Sequence, residues 1–446
     1  MTTFSSLAVK ALPALALLGL AGCQANIDAP SASPGPLDFT SYVAIGNSLT
    51  AGYSDGGLYN EAQATSYPAI LAQQFAATGK GPASFVQPAF SAAKKDGSGY
   101  IKLQIVNGAL APVQPTAANA YLSEMLAVTG VVLPGGNQLE AYSGTQPDNL
   151  GIPGISVLSS VSALTGGLAP YGLINPFYER LLTAAEKPTK DYVTYISQKT
   201  PTFFTCWMGN NDVLAYATAG GVVAPTNPFG GLTDTTRFGI GYRAILSAAT
   251  KAGTVKGAVA NIPSVGNLPY FRTVTVAAVA AAFKAANAAS PGVFIQTSSS
   301  TSPVRLATSA DLLTLTSQAV VATGAGSTPT NPLPNQYVLD ADELANVVAR
   351  TTQLNAIIAK TAQRFKVPVA DMNAYFTSIG AQGVVTNAVN NTVTFASGNI
   401  FSLDGVHPTP RGYALIANEW IRVINSYYSS TIPAVSPTSY RAVLFP

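Results

Sequence analysis

Short apolar segments that run directly into polar, glycine-containing clusters recur along this chain and constrain its fold most. The clearest are residues 39–45, 201–208 and 257–262, which precede the clusters at 46–50, 209–212 and 263–269. Segments with helical spacing of apolar residues lie between them. Alternating strands and helices predict an α/β fold, a parallel sheet covered by helices on both faces. Because parallel strands end at one edge of a sheet, the polar clusters are expected to meet there.

His407 is the only histidine among 446 residues, so any imidazole chemistry must use it. Its loop precedes a predicted helix, for which Thr409 is a suitable N-cap and Pro410 a suitable first residue. Asp404 lies three residues upstream, so its carboxylate can bind one imidazole nitrogen and leave the other as a base. Taken alone, this spacing is also typical of a loop aspartate that caps a helix.

The first residues have the pattern of an export signal. Lys10 precedes a short apolar run over 11–20, which is too short to span a bilayer permanently. The sequence Leu-Ala-Gly-Cys at 20–23 resembles a bacterial lipobox, which implies a lipoprotein signal peptide over 1–22 and lipidation of Cys23. Residues 23–38 are then the lipidated cysteine and a flexible tether. Gln24 resembles the residue that directs many such lipoproteins to the outer membrane.

Length and composition alone predict one large domain with insertions, or two domains. We interpret 39–446 as one domain with insertions at about 80–148 and 272–330. Hydrophobic residues make up 48% and charged residues 10%, which suits a large core. A formal net charge of +3 gives no indication of a nucleic-acid partner. The second cysteine, Cys206, has no partner for a disulfide. No cysteine, histidine and carboxylate cluster has metal-ligand spacing, so neither metal nor cofactor is expected.

Four blocks in the chain, taken in order, resemble those of the SGNH or GDSL-type hydrolases. They are Gly46-Asn47-Ser48-Leu49, residues 149–154, Gly209-Asn210-Asn211-Asp212 and Asp404-Gly405-Val406-His407. The resemblance implies a three-layer, doubly wound, flavodoxin-like sheet with two large insertions. It also implies that Ser48 is the nucleophile and that Gly154 and Asn211 are oxyanion donors. Asp404 and His407 would be the acid and base partners of the serine. Asn47 replaces the usual aspartate, which concerns support of the turn and not the chemistry.

These residue types belong together in acyl transfer. A serine hydroxyl becomes an effective nucleophile when a histidine takes its proton and a carboxylate stabilises the imidazolium. Backbone N–H groups of Ser48 and Gly154 and the Asn211 amide would bind the oxyanion. Each block alone has a structural alternative: a turn at Ser48 or Gly154, a helix cap at Asn211, a surface charge at Asp212.

The resemblance leaves three functions open. The first is a membrane-anchored serine esterase or lipase acting on an ester of a lipid or an acylated glycan. The second is a carbohydrate acetylesterase or acyltransferase with the same triad, and the third is a non-catalytic binding or adhesion lipoprotein. An ester hydrolysis assay separates the third from the others. The insertions are expected to shape the substrate pocket, with candidate lining residues Phe271, Val274, Leu312 and Leu315.

Overall fold

Five parallel strands form the central sheet of the computed structural model. They are β1 (Tyr42–Gly46), β2 (Asn149–Gly151), β3 (Phe203–Trp207), β4 (Lys256–Ala260) and β5 (Val369–Ala370). Their order across the sheet is β5-β4-β3-β1-β2, and every pairing is parallel. This is the flavodoxin-like order, in which the direction of winding reverses between β1 and β3. Ligands of such sheets bind at the carboxyl edge beside that reversal.

The structure describes residues 31–113, 139–162, 175–187, 189–223 and 229–446. Ala32–Pro446 form one compact unit, which contains the sheet and the helices that cover it. The predicted signal peptide, Cys23 and the start of the tether lie outside the described residues. The end of the predicted tether is packed rather than flexible, because Ser33 pairs with Thr431 and Leu37 is buried in the core. So does the strand-like segment 130–134 of the first insertion.

The helices are α1 (Ser48–Ala51), α2 (Asn60–Ala64), α3 (Tyr67–Ala76), α4 (Val157–Ser160), α5 (Pro176–Glu179), α6 (Tyr192–Ser197), α7 (Asn211–Thr218), α8 (Thr235–Ala249), α9 (Pro269–Arg272), α10 (Val276–Ala286), α11 (Ser317–Val321), α12 (Ala341–Phe365), α13 (Met372–Gln382) and α14 (Pro410–Tyr428). Helices α6, α7, α8 and α12 cover one face of the sheet, and α3, α13 and α14 cover the other. The three-layer α/β prediction is therefore confirmed.

Alternation along the strands explains why both faces are covered. In β1, Val43 packs into one core and Ala44 into the other, because successive side chains of a strand point to opposite faces. In β3, Phe204 packs into the same core as Val43, and Trp207 packs into the same core as Ala44. Buried apolar side chains on both faces require a helical layer on each.

The predicted cap of the last helix is confirmed. Thr409 Oγ1 accepts a hydrogen bond from Gly412 N at 3.1 Å, and Pro410 is the first residue of α14. Buried side chains on α14, including Tyr413 and Trp420, fix this helix against the sheet. The loop that carries His407 is thus attached to a firmly packed element.

The segments inserted between elements of the central sheet differ in part from those expected. Within 80–148, Lys102–Val106 and Ala109–Val113 form a hairpin. Within 272–330, α10 and the hairpin of Phe294–Gln296 with Val304–Leu306 share a small core of their own. Further along, Leu312–Leu313 pairs as a strand with Val338–Leu339, and α11 follows it. A further addition was not predicted: α13 and the hairpin of Val384–Thr386 with Val389–Asn391 lie between β5 and Asp404.

Candidate active site

Ser48 is the first residue of α1, two residues after β1 ends. Asn47 caps this short helix, since its Oδ1 accepts from Leu49 N at 3.1 Å. Gly46 is required at the bend, because a Cβ there would lie 2.0 Å from Thr50 Oγ1 and 2.8 Å from the backbone oxygen of Trp207. Asn47 therefore supports the turn, as expected for the residue that replaces aspartate in this block.

Three side chains form a continuous hydrogen-bonded chain from the nucleophile to a carboxylate. His407 Nε2 lies 2.8 Å from Ser48 Oγ, and His407 Nδ1 lies 2.7 Å from Asp404 Oδ2. This geometry suits a tautomer with the proton on Nδ1 and Nε2 as the base. Since Thr409 caps α14, the alternative role of Asp404 as that helix's cap does not apply. The sequence-predicted serine, histidine and aspartate are brought together across 359 residues.

Asp404 accepts several hydrogen bonds besides the one from His407 Nδ1. Its Oδ1 accepts from Val406 N at 2.9 Å, from His407 N at 2.8 Å and from Ser402 Oγ at 3.2 Å. Burial alone would raise its pKa, but the charge of His407 and these hydrogen bonds outweigh burial and hold the pKa of Asp404 below its ordinary value. The carboxylate is therefore ionised at neutral pH and ready to stabilise an imidazolium.

Residues 53–57, which we call the strap, connect the serine turn to the Asp404 loop. Gly56 N donates to Asp404 Oδ2 at 3.0 Å, and the Tyr53 ring lies 4.7 Å, centroid to centroid, from the imidazole of His407. The carboxylate of Asp55 accepts from Leu403 N at 3.0 Å, next to Asp404 in the sequence. The strap thus holds both partners of the nucleophile from one side.

Asp55 is a buried carboxylate that sequence reasoning missed. Its side chain also accepts from Tyr59 Oη at 3.0 Å, and its backbone N donates to Ser402 Oγ at 2.8 Å. Burial raises its pKa, partly offset by the hydrogen bond from Leu403 N. An Asp-Gly pair shortly after the nucleophile is a turn signal, but a turn signal does not indicate which distant loop the aspartate contacts.

The oxyanion donors predicted for this site follow three neighbouring strands. Gly46 of β1 pairs with Gly151 of β2 and with Trp207 of β3. Ser48, Gly154 and Asn211 follow β1, β2 and β3 respectively, so the topology places them along one stretch of the carboxyl edge. The roles of Gly154 and Asn211 as oxyanion donors stay predictions.

At each of these three positions a hydrogen has no acceptor among the described residues, which supports the predicted roles as oxyanion donors. The backbone N–H groups of Ser48 and Gly154 donate to no described residue, and Gly154 adopts a left-handed φ of +79°. Asn211 Nδ2 donates to Ile155 O at 2.8 Å, which joins the third block to the second. A carboxamide nitrogen carries two hydrogens, so one remains available for an oxyanion. Two backbone N–H donors and one amide donor are what acyl transfer requires to stabilise its oxyanion.

Asp212 is a fully buried residue rather than a surface charge. Its carboxylate accepts from Val157 N at 2.8 Å and from Leu158 N at 3.3 Å, at the start of α4. Burial raises its pKa to about 6, although these hydrogen bonds oppose the rise. Because α4 begins three residues after Gly154, Asp212 fixes the element that follows this predicted oxyanion donor.

An apolar cavity of about 50 Å³ lies beside Ser48 and His407. Its wall is mostly aliphatic and aromatic, and it is made of Leu49, Asn210, Leu214, Ile262, Pro263, Ser264, Val265, Asn267, Leu268, Phe376, Val393, Phe401, Val406 and Pro408 in addition to the serine and histidine. The cavity follows the carboxyl edge from the exit of β1 past those of β3 and β4 to the helix after β5.

The expectation that Phe271, Val274, Leu312 and Leu315 line the pocket is wrong for this cavity. Phe271 is 1% exposed and packs in the core under the sheet, while Val274 packs against the small core of the second insertion. Phe376, Val393 and Phe401 take their place, from the addition between β5 and Asp404. Apolar residues of an insertion have the same composition whether they build a core or a pocket, so sequence could not separate the two.

The described residues hold no cluster of three or more histidine, cysteine and acidic side chains that could bind a metal ion. Cys206 is a buried free thiol in β3, and burial raises its pKa well above the ordinary value. Among the described residues, neither a metal site nor a reactive thiol is therefore added to the groups around Ser48.

A serine, histidine and aspartate in hydrogen-bonded series at the carboxyl edge of a doubly wound parallel sheet define a serine hydrolase. The sequence model of the GDSL-like lipase/acylhydrolase family matches residues 42–420, and the chain belongs to that family. It is accordingly an ester-hydrolysing serine hydrolase, and the resemblance found in the four blocks is confirmed. A search of curated proteins finds no match to the chain.

Proposed function

We propose that this chain is a membrane-anchored serine esterase or lipase that hydrolyses esters of aliphatic acids through an acyl-enzyme on Ser48. The observation that carries the proposal is the hydrogen-bonded series Ser48, His407 and Asp404 at the mouth of an apolar cavity. An acyl chain in that cavity would gain about 0.8 kcal/mol for each buried methylene.

The reaction follows from these positions. Ser48 Oγ attacks the carbonyl carbon while its proton passes to His407 Nε2, and Asp404 stabilises the imidazolium. The oxyanion accepts hydrogen bonds from the N–H groups of Ser48 and Gly154 and from the Asn211 amide. Collapse breaks the ester bond, and the leaving alcohol takes the proton from His407. A water molecule then repeats the sequence on the acyl-serine, which releases the acid and restores the enzyme.

The cavity wall favours this function over removal of acetyl groups from carbohydrate. An acetyl group has one methyl to bury, whereas the wall extends from Leu49 to Phe376 across the exits of several strands. None of the described residues that line it is an acid, a lysine or an arginine, which suits an uncharged chain. Transfer of the acyl group to an acceptor other than water uses the same first step and is measured by adding the acceptor to the assay.

Membrane attachment in this proposal depends on the sequence at Cys23, which lies outside the described residues. Among the helices that the structure describes, none is long and apolar enough to cross a bilayer. Acylation of Cys23 with two or more chains would hold the protein stably on a membrane, and we place it at the bacterial outer membrane. A tether that ends at residue 31, before the chain packs on the domain, would leave the catalytic edge near lipid head groups.

A series of p-nitrophenyl esters from acetate to dodecanoate tests the function. We expect kcat/KM to rise about fourfold per methylene, the equivalent of 0.8 kcal/mol, until the chain fills the cavity, and then to fall. A maximum at acetate, with a decline for every longer chain, would favour the acetylesterase instead. Absence of hydrolysis for all esters by the folded protein would support the binding lipoprotein.

A further inference from the structure

Asn210 has a buried side-chain oxygen without a hydrogen-bond partner among the described residues. The residue is 8% exposed, and its Oδ1 is buried and hydrogen-bonds to no described residue. It precedes α7, yet its side chain makes no capping hydrogen bond to that helix. Asn211, the next residue, is in contrast held by Ile155 O at 2.8 Å. A buried amide that loses water and gains no partner destabilises the fold, so such a group calls for an explanation.

The position of Asn210 offers an explanation for its missing hydrogen-bond partner. It lines the same cavity as Ser48 and His407, in a wall otherwise dominated by side chains such as Leu214 and Val265. Gly46 pairs with Trp207, so Ser48 and Asn210 lie two and three residues beyond a paired position on adjacent strands. Adjacent strands are about 4.8 Å apart. A group on an acyl chain within a few bonds of the scissile carbonyl can therefore reach the amide.

We propose that Asn210 is a specificity-determining residue that binds a hydroxyl group on the acyl chain, close to the scissile carbonyl. The preferred substrates are then esters of hydroxylated aliphatic acids. This inference rests on the proposed ester hydrolysis at Ser48 and adds the class of acid to it.

The chemistry of the wall selects a hydroxyl over other polar groups. The described lining residues include no acid, lysine or arginine, so an ammonium or carboxylate on the chain would be buried without a counter-ion. A carboxamide presents a donor and an acceptor side by side, and a hydroxyl both donates and accepts. A hydroxyl therefore satisfies Asn210 whichever way the amide is turned. An unsubstituted chain would leave the amide buried and unpaired, which is how hydrogen-bonding sites reject apolar analogues.

The test compares hydroxylated and plain esters in the full-length protein. The kcat/KM values for p-nitrophenyl 2-hydroxyhexanoate and 3-hydroxyhexanoate are each divided by the value for hexanoate, in wild type and in Asn210→Leu. We expect one hydroxyl position to be preferred by wild type about tenfold or more relative to Asn210→Leu. Intrinsic differences in ester reactivity cancel, because the same two esters are compared in both proteins.

Asn267→Leu is the matched control. Asn267 also lines the cavity, but its Oδ1 accepts from Arg272 Nη2 at 3.3 Å, so it is not a carboxamide oxygen without a partner. This variant should keep the wild-type ratio whatever its absolute rate. Asn210→Ala serves as a second variant if leucine prevents folding, with hexanoate hydrolysis reporting a folded site.

Equal ratios in wild type and in both Asn210 variants, at both hydroxyl positions, would overturn the assignment. A loss of preference in Asn267→Leu as large as in Asn210→Leu would also overturn it, because the effect would then belong to the cavity as a whole. If wild type hydrolysed neither hexanoate nor its hydroxylated forms, the proposed function itself would fail, which is a distinct result.

Discussion

Gly56 donates its backbone N–H to Asp404 Oδ2 at 3.0 Å, the same oxygen that accepts from His407 Nδ1. The Asp404 carboxylate is therefore held by the strap as well as by its own loop. Asp55, the residue before Gly56, binds Leu403 N through a buried carboxylate. Two adjacent strap residues thus hold the backbone before Asp404 and the Asp404 carboxylate itself, and we propose that the strap positions the triad.

Asp55→Asn should lower kcat while KM changes little. An asparagine keeps the size of the side chain but replaces one acceptor oxygen with a donor, so it cannot accept from both Leu403 N and Tyr59 Oη. We expect a loss of about tenfold in kcat, because small displacements of a catalytic group reduce rate steeply. Steady-state kinetics on a p-nitrophenyl ester measure it.

Tyr59→Phe is the control for that variant, since it removes the hydrogen bond from Tyr59 Oη to Asp55 and leaves the Leu403 contact in place. Its kcat should fall less. If Asp55→Asn retained wild-type kcat, or changed KM alone, the positioning role of the strap would be wrong.

Asp212 should make stability depend on pH. Its pKa is raised to about 6 in the folded protein, above the ordinary 3.8 that applies when unfolded. As pH rises from 4 to 6 the unfolded chain releases this proton more readily than the folded one, so the free energy of unfolding falls. The loss should approach about 3 kcal/mol and stay constant above pH 6. Urea unfolding from pH 4 to 8, in wild type and in Asp212→Asn, isolates this contribution.

The comparison with Asp212→Asn removes the effect of other carboxylates, among them Asp404, whose lowered pKa contributes stability that is lost only as pH falls below its ordinary range. Parallel pH curves for the two proteins would show that Asp212 does not titrate with a raised pKa.

Phe376→Leu should move the preferred acyl length upward by one or two carbons. Phe376 lines the cavity and packs against Phe401 at 5.8 Å between ring centroids, so a smaller side chain leaves more room. The ester series from acetate to dodecanoate detects the shift. Phe75→Leu is the control, because Phe75 is buried on the same face of the sheet without lining the cavity. Destabilisation without a shifted optimum in Phe376→Leu would show that this residue does not limit chain length.

Cys23→Ser should abolish lipidation and block normal processing of the signal peptide. Cell fractionation with metabolic acyl labelling checks this, and we expect labelled wild-type protein in the membrane fraction and no label in the variant. Wild-type protein that is unlabelled and found outside the membrane would contradict the anchor.

The blocks that carry the chemistry could be predicted because their signals are local. Ser48, Asn211 and His407 each follow an apolar strand or precede a capped helix, and parallel strands must end at one edge. Thr409 and Pro410 likewise predict the start of α14 from adjacent residues alone. The order of the blocks then indicates the family.

Contacts between distant segments could not be predicted in this way. Asp55 and Leu403 are 348 residues apart, and nothing in either sequence marks the other as its partner. The addition at α13 was missed because its apolar residues do not indicate which side they pack against. The cavity wall at Phe376 and Val393 therefore became visible only in the folded chain.

Covalent labelling of Ser48 tests the central claim most directly. The full-length protein is treated with a p-nitrophenyl alkylphosphonate, and the modified peptide is identified by mass spectrometry while ester hydrolysis is followed in parallel. We predict one adduct per chain, on Ser48, formed as activity is lost. His407→Ala should slow its formation by about a thousandfold or more, as expected when one member of a triad is removed. Inactivation without modification of Ser48, or ester hydrolysis by Ser48→Ala near the wild-type rate, would contradict the proposed mechanism.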